Sequence, residues 1–361
     1  MKIFENKAAL AAASLKEGQI VTTKGYTTAG DGGGATYLIA TTGGGVGDET
    51  LANGNIALRQ KPVTVNNSQT FSIPTDYPTL QDAIDTLSAF SYLDQTDVVL
   101  NIETGHKLTK GLTLRNDNYS RFRITSTDAT VQLAVGFVGA DITGINAGIL
   151  GIDIGGAPFM LVALGATSPV LDCVIDMENL FGTGIQVAEG TAIVNPSCGV
   201  INAGFRGIQV HGRANLYGAT FNGASGTGIR LQQASTVNAR NATADDCCKT
   251  TDLTNSAVYV SRSSALEFRG GSAQRSGGSG IIARRSRVTA DDANFDDAAG
   301  KGVWAESQGI ISFNGGSCLR SVSPCVLSTF GSQVHAGGST FSRNNPINQA
   351  FQVAAGGMIF T

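Results

Sequence analysis

Charge is thin in this chain and proline is scarce. Asp, Glu, Lys and Arg make up 15% of 361 residues, and there are 8 prolines against 47 glycines. So few charges, with a net of −3, exclude the basic face that a nucleic-acid binder presents, and no nucleic-acid partner is expected. No apolar run reaches the length of a membrane span, so membrane insertion is not expected. Ala8–Ala13 is apolar but shorter than the core of a signal peptide, and no cleavage-like continuation follows; synthesis in a cytoplasm is expected. Histidine occurs three times, scattered at His106, His211 and His335. That is poor material for a metal site, and neither a metal nor a cofactor is expected.

Six cysteines (Cys173, Cys198, Cys247, Cys248, Cys318 and Cys325) are too dispersed for a disulfide framework. The adjacent Cys247-Cys248 lacks the CxxC spacing of a zinc pair. They read as small buried hydrophobes. The motifs HExxH, Walker A and G-x-S-x-G are missing, so an enzyme here has to assemble its site from separated parts of the chain. Core material is plentiful, with 42% hydrophobic residues, and abundant glycine fits many tight turns.

What the chain does have is a repeat. A small residue followed by apolar-x-apolar, or by apolar-x-small, opens each unit, as in Gly184-Ile185-Gln186-Val187, Gly207-Ile208-Gln209-Val210 and Gly228-Ile229-Arg230-Leu231. Five further copies carry the anchors Val258, Ile281, Val303, Val326 and Phe351, at intervals of 23, 21, 29, 23, 22, 23 and 25 residues from Ile185 onward. A period of this size means a solenoid. A second anchor follows eight residues on at Ile193, Leu216, Val237, Leu266, Ile311, Val334 and Ile359, and seven on at Val288. A third apolar or small residue often follows, as at Phe221, Ala273, Phe295, Cys318 and Phe341. Constant spacing inside a variable period describes stacked strands with a corner that is free to grow. Three short strands per coil predict a parallel β-helix. The leucine ladder of a leucine-rich repeat is missing, and a propeller blade needs roughly 40 residues.

The first 66 residues differ. Glu5–Ser14 is alanine-rich and predicts a short helix; Gln19–Thr23 and Thr36–Ala40 read as strands around a glycine-rich loop. No Gly-Lys-Ser/Thr follows that loop, so it is not a phosphate cradle. The run Lys24-Gly25-Tyr26-Thr27-Thr28-Ala29-Gly30-Asp31-Gly32-Gly33-Gly34-Ala35-Thr36-Tyr37, followed by Ala52-Asn53-Gly54-Asn55-Ile56-Ala57, resembles the N-terminal segment of bacteriophage tailspike proteins. The resemblance covers roughly the first 60 residues and brings no catalytic motif. It implies an all-β fold: a right-handed parallel β-helix solenoid with a small N-terminal α/β cap. It also implies a homotrimer on the virion tail, joined to the tail or baseplate through the N-terminal segment, with a host cell-surface polysaccharide as partner. Such spikes usually also carry a C-terminal trimerisation domain, and none is evident after the last coil.

The expected division is residues 1–66 for virion attachment, 67–96 for a helical cap and 97–361 for the β-helix. Within 67–96, Thr79-Leu80-Gln81-Asp82 reads as a capping box, and Leu80, Ala83, Ile84 and Leu87 share one helical face. That helix is expected to cover the open first coil, since bare strand edges invite aggregation. Early strands are expected at Val98–Ile102, Phe122–Ile124, Val131–Leu133 and Ile149–Ile154.

Two outward columns carry the chemistry. The central position of each opening phrase reads Gln186, Gln209, Arg230, Tyr259, Ile282, Trp304, Leu327 and Gln352. Two residues on run His211, Gln232, Ser261, Arg284 and Glu306. The apolar members form a contact surface: a subunit interface, a patch covered by a loop, or a sugar platform. In the last case Trp304 and Tyr259 face the pyranose, while Arg284, Arg230 and Arg275 bind substrate and Glu306 is a catalytic candidate. The second column lies eight and nine residues past the second anchor and reads Asp245-Asp246, Gln274-Arg275, Asp296-Asp297, Leu319-Arg320, Ser342-Arg343, acid and base alternating over the first four coils. It reads as a surface ion-pair ladder, worth roughly 0–1 kcal/mol per rung. The alternative is an acid–base pair drawn from Asp245 or Asp246 and from Asp296 or Asp297. Two coils separate these by about 9.6 Å, close to the spacing of inverting glycosidases. Asp291-Asp292 is a third acidic pair, equally readable as turn residues. The function expected is a phage receptor-binding spike that binds and hydrolyses a host surface polysaccharide. The alternatives are a non-catalytic spike, a lyase on the same fold, and a bacterial cell-surface adhesin.

Overall fold

The computed structural model describes residues 2–25, 28, 35–42, 48–60, 64–65, 68–88, 91–92, 97–142, 158–249, 255–343 and 350–361. The chain divides into two compact units, Met1–Leu100 and Asn101–Thr361.

In the first unit the strands Lys2–Phe4, Ile20–Thr23, Thr36–Ala40, Ile56–Gln60 and Glu49–Thr50 form one sheet in that spatial order. The first pair is parallel and the others antiparallel. The expected alanine-rich helix spans Lys7–Ala11, where the Asn6 side chain caps it by accepting from the Ala9 amide at 2.9 Å. Leu10, Leu15, Val21, Tyr37 and Ile39 make the small core beneath it. Most of the glycine-rich loop lies outside the described residues. The second expected helix spans Leu80–Leu87; Thr79 accepts from the Asp82 amide at 3.2 Å, and Leu80, Ala83, Ile84 and Leu87 are buried, the face that its spacing predicts.

The second unit is a parallel solenoid of about ten coils. Its opening strands pair residue for residue. Leu112, Leu161, Ile185, Ile208, Ile229, Val258, Ile281, Val303, Val326 and Phe351 form one unbroken ladder. Every anchor of the opening phrase is therefore in register. The small residue before the anchor has a steric cause. A side chain built at Gly207 or Gly280 would meet the carbonyl oxygen of the next coil at 2.6 Å. The early strands Val98–Ile102, Phe122–Ser126 and Val131–Val138 form as expected; Ile149–Ile154 lies outside the described residues.

The second ladder corrects the reading of two coils. It runs Ala192, Ala214, Val237, Leu266, Val288, Ile311, Val334 and Ile359, so Ile193 and Leu216 are not members. Ile193 pairs with Asn215 and is only half-buried, whereas Leu216 is buried two positions further on. Two small alanines hold the rungs beside larger branched neighbours. The third side of the coil is mostly single bridges, Gly199 to Thr220, Thr243, Ser272, Asn294 and Ser317. Phe268, Phe295, Phe313 and Phe341 form an aromatic row from coil to coil, with centroids 6.1, 5.4 and 6.1 Å apart, the first pair stacked, the second tilted and the third edge-on.

Each corner turns on a left-handed residue. In successive coils Asp246, Arg275, Asp297 and Arg320 occupy one corner with φ of 56°, 51°, 61° and 58°. Asn241, Gly270, Asp292 and Gly315 hold another. Asparagine and aspartate tolerate this region better than other side chains do, and Asp292 is thereby a turn residue. All six cysteines are free; Cys198 is partly exposed and the other five are buried.

Candidate functional site

Because the opening ladder is unbroken, the residue after each anchor also stacks on its counterpart. Gln186, Gln209, Arg230, Tyr259, Ile282, Trp304, Leu327 and Gln352 are successive partners. The column exists, but it is less exposed than alternation alone predicts. Gln186 and Gln209 are fully buried, Ile282 is 2% exposed and Leu327 is 7% exposed. Ile282 is shielded because larger neighbours flank it in register, Tyr259 on one coil and Trp304 on the next.

This part of the column is the floor of a pocket of about 380 Å³. Arg230, Tyr259, Ile282 and Trp304 line it from the column, Arg284 and Glu306 from the neighbouring one. Thr227, Asn255 and Ser256 complete the lining. The two charged groups face each other, with Arg284 Nε 3.7 Å from Glu306 Oε2. Cations also sit over both aromatic rings: Arg230 Cζ is 5.0 Å from the Tyr259 centroid and Lys301 Nζ 4.4 Å from that of Trp304. Burial pushes the Lys301 ammonium below its usual pKa, and the Glu306 carboxylate offsets this in part. The indole N–H of Trp304 donates to Thr329 Oγ1 at 3.4 Å. Lys301 was not foreseen from sequence because it lies in the corner before Val303, outside both columns.

A polar chain runs along the coils from this pocket. With the Gln232 amide oxygen turned to Arg230, it accepts from Nη2 at 2.8 Å, and the amide nitrogen donates to His211 Nε2 at 3.2 Å. Gln209 Nε2 lies 2.8 Å from His211 Nε2, and Gln209 Oε1 accepts from Arg206. Arg206 and His211 are each 4% exposed. Of these contacts only that between His211 and Gln232 crosses from one coil to the next; they satisfy buried Gln209, whereas the buried Gln186 Oε1 has no hydrogen-bond partner among the described residues.

The acidic pairs lie elsewhere, at the corner after the third strand. Asp246 binds Arg275 in a fork, with Nε and Nη2 contacts of 2.7 and 2.8 Å. Asp297 binds Arg320 in the same way at 2.6 and 2.7 Å. The Arg275 hydrogen bond holds the Asp246 carboxyl below its usual pKa, against some burial, and Arg320 does the same for Asp297. Asp245 Oδ1 accepts from Ser272 Oγ at 2.7 Å and the Gln274 amide at 2.8 Å. Asp296 Oδ1 accepts from Ser317 Oγ and the Leu319 amide at 2.8 and 2.7 Å. In Asp291, too, the carboxylate ties one coil to the next, through Ser312 and Asn314. A depression of about 410 Å³ does include Asp246, with Asn202, Asn222 and Lys249. Although slightly larger than the first, it lacks aromatic residues, and its carboxylate is already committed to Arg275. Neither Arg275 nor the acidic pairs line the pocket of Trp304.

Among the described residues no group of three or more His, Cys, Asp or Glu side chains is placed to hold a metal ion. No described helix is long and apolar enough to cross a membrane.

Comparison with known proteins gives the family. The sequence matches the family described as "Right handed beta helix region" over residues 170–317 and 206–360, together more than half of the chain. No curated protein matches it. Among solved structures, the gp42 tailspike of Acinetobacter phage vb_AbaP_AS12 superposes with a TM-score of 0.54 at 13% identity, covering 99% of this chain and 74% of that one. The enzymatically active domain of bacteriophage CBA120 tailspike protein 2 superposes with a TM-score of 0.50 at 14% identity, covering 97% of this chain and 55% of that one. This chain thus spans little more than half the length of the second. At such identities the likeness is one of fold. The ladders, the left-handed corners and the family match agree: the chain belongs to the right-handed β-helix family.

Proposed function

We propose that this chain is a phage tailspike-type receptor-binding protein that binds a host surface polysaccharide in the pocket of Trp304 and hydrolyses it. The observation that carries the reading is the stacked floor of Arg230, Tyr259, Ile282 and Trp304 with Arg284 and Glu306 beside it. Aromatic and aliphatic faces suit the C–H surface of a pyranose, and convergent polar groups suit its hydroxyls. Glu306 is the one carboxylate among the lining residues. Its role is to take a proton from the water that attacks the anomeric carbon as the glycosidic C–O bond breaks, the leaving oxygen taking its proton from solvent water. The second carboxyl that most such hydrolyses use is supplied by none of the other lining residues.

The fold shared with the two tailspikes supports the assignment to a virion tail, and the CBA120 domain is described as enzymatically active. A glycoside hydrolase, assembled as a homotrimer and attached to the tail through its N-terminal segment, is the form this function takes. Incubation with host polysaccharides tests it. Reducing ends are expected with the native chain and are lost with Glu306→Gln, while binding persists. Binding with no reducing ends from the native chain would leave a receptor-binding spike without hydrolysis. Ultraviolet-absorbing unsaturated ends would make it a lyase. Light scattering at micromolar concentration is expected to give a trimer, and a monomer would overturn the assembly.

A further inference from the structure

Two of the free cysteines depart from the repeat together. The small residue before the opening anchor is Gly or Ala in seven of the eight copies and Cys325 in the remaining one. Cys318 pairs with Phe341 on one side and follows the bridge from Asn294 to Ser317 on the other, so a phenyl stands in its register on both neighbouring coils. A thiol in place of a phenyl leaves room for a second small side chain at position 325. Both residues are inside, Cys318 at 0% and Cys325 at 2% exposure. The Cys325 thiol donates to the carbonyl oxygen of Cys318 at 3.0 Å, and the Cys318 thiol to that of Cys325 at 3.7 Å. Each side chain thus lies over the other's backbone. The two thiols also hydrogen-bond each other, which pushes Cys318 up in pKa and draws Cys325 down. Cys198 and Cys247 turn instead to Asp172 and to the Phe221 carbonyl.

We propose that Cys318 and Cys325 are a disulfide-forming site, closed by a peroxide, that braces the corner at the end of the coil carrying Trp304. Cys325 is the thiolate that attacks one oxygen of hydrogen peroxide. The O–O bond breaks, hydroxide leaves, and Cys325 becomes a sulfenic acid. The Cys318 sulfur then attacks the sulfenic sulfur. The S–S bond forms as the S–O bond breaks, and the Cys318 proton leaves with the departing hydroxyl as water. Each thiol gives up one electron, and the peroxide takes both. Hydrogen peroxide is little larger than water, which suits a pair buried from bulkier thiol reagents.

The test treats the full, reduced chain with hydrogen peroxide, alkylates it in denaturant and digests it with trypsin. Cleavage after Lys301, Arg320 and Arg343 puts Cys318 in peptide 302–320 and Cys325 in peptide 321–343, each the only cysteine of its peptide. Mass spectrometry is expected to find the two joined, and dithiothreitol to part them. Closing so short a loop should raise the melting temperature of the chain by about 5–10 °C, a rise that dithiothreitol reverses. Cys325→Ala places there the residue that Ala257 and Ala350 supply in other coils. It should show neither the joined peptides nor the rise. Peptides that stay separate after peroxide, with their cysteines alkylated or further oxidised, overturn the proposal. So does a melt that fails to rise when the peptides are joined, or one that rises equally in Cys325→Ala.

Discussion

Replacing Phe295 by alanine removes the middle of the internal aromatic row. Phe295 is fully buried, between Phe268 at 6.1 Å and Phe313 at 5.4 Å, and its ring also fills the space beside Gly280. Glycine at 280 offers no side chain that might move in, so the cavity stays open. Burying no phenyl there costs about 3–5 kcal/mol, the range for Phe→Ala in cores. For a body of this size each kcal/mol lowers the melting temperature by about 2–4 °C, giving a fall of about 6–20 °C. The effect is local at first, because each coil touches only its neighbours. Trp304 lies nine residues further along the chain, so thermal melts followed by its emission read the coils that lose support. Phe295→Leu, which refills most of the volume, should recover at least half of the loss. A melt unchanged by Phe295→Ala, or a leucine variant as damaged as the alanine one, would refute the packing argument.

Trp304→Ala should weaken polysaccharide binding by at least about tenfold, the scale of one lost stacking contact, without changing the assembly in light scattering; dissociated subunits would make the patch an interface. Asp246→Asn and Asp297→Asn should leave turnover intact, and the first should cost roughly 0–1 kcal/mol of stability, read by thermal melts. Both carboxyls have folded pKa values held below 3.8 by their arginines. Their contribution is therefore complete above that value and disappears as pH falls through the lower folded one, so variant and native melts should converge in strong acid. Thiol labelling of Cys173, Cys198 and Cys247 in the native protein should be slow, since burial pushes Cys173 up to about 12 and raises Cys198 and Cys247 as well; all six cysteines should react after denaturation.

The opening ladder was legible because large apolar anchors recur beside a small residue, and both have steric causes that leave no other reading. The second ladder was partly hidden, since at Ala192 and Ala214 the rung is a methyl group and the eye goes to Ile193 and Leu216. The outward column was legible as a register but not as a surface. Alternation says which way Gln209 or Ile282 points, not that Arg206 reaches back to the one or that Trp304 shades the other. Lys301 reaches the Trp304 ring from the corner before Val303, which no period reports, whereas Thr329, which accepts from the Trp304 indole, continues the column of Arg284 and Glu306. The acid–base alternation from Asp246 to Arg320 was equally visible as pattern, and side-chain distances show it as coil-to-coil ties.

The longest interval between anchors, 29 residues from Ile229 to Val258, ends in two residues that line the pocket, Asn255 and Ser256. The extra length thus precedes two residues that line the proposed sugar pocket. On the proposed reading, a lineage that follows a changing host coat can rewrite that segment and leave the ladder anchors untouched. The floor residues Tyr259, Ile282 and Trp304 sit on the rungs themselves, so on the proposed reading only the segment before Val258 can change without touching the ladder.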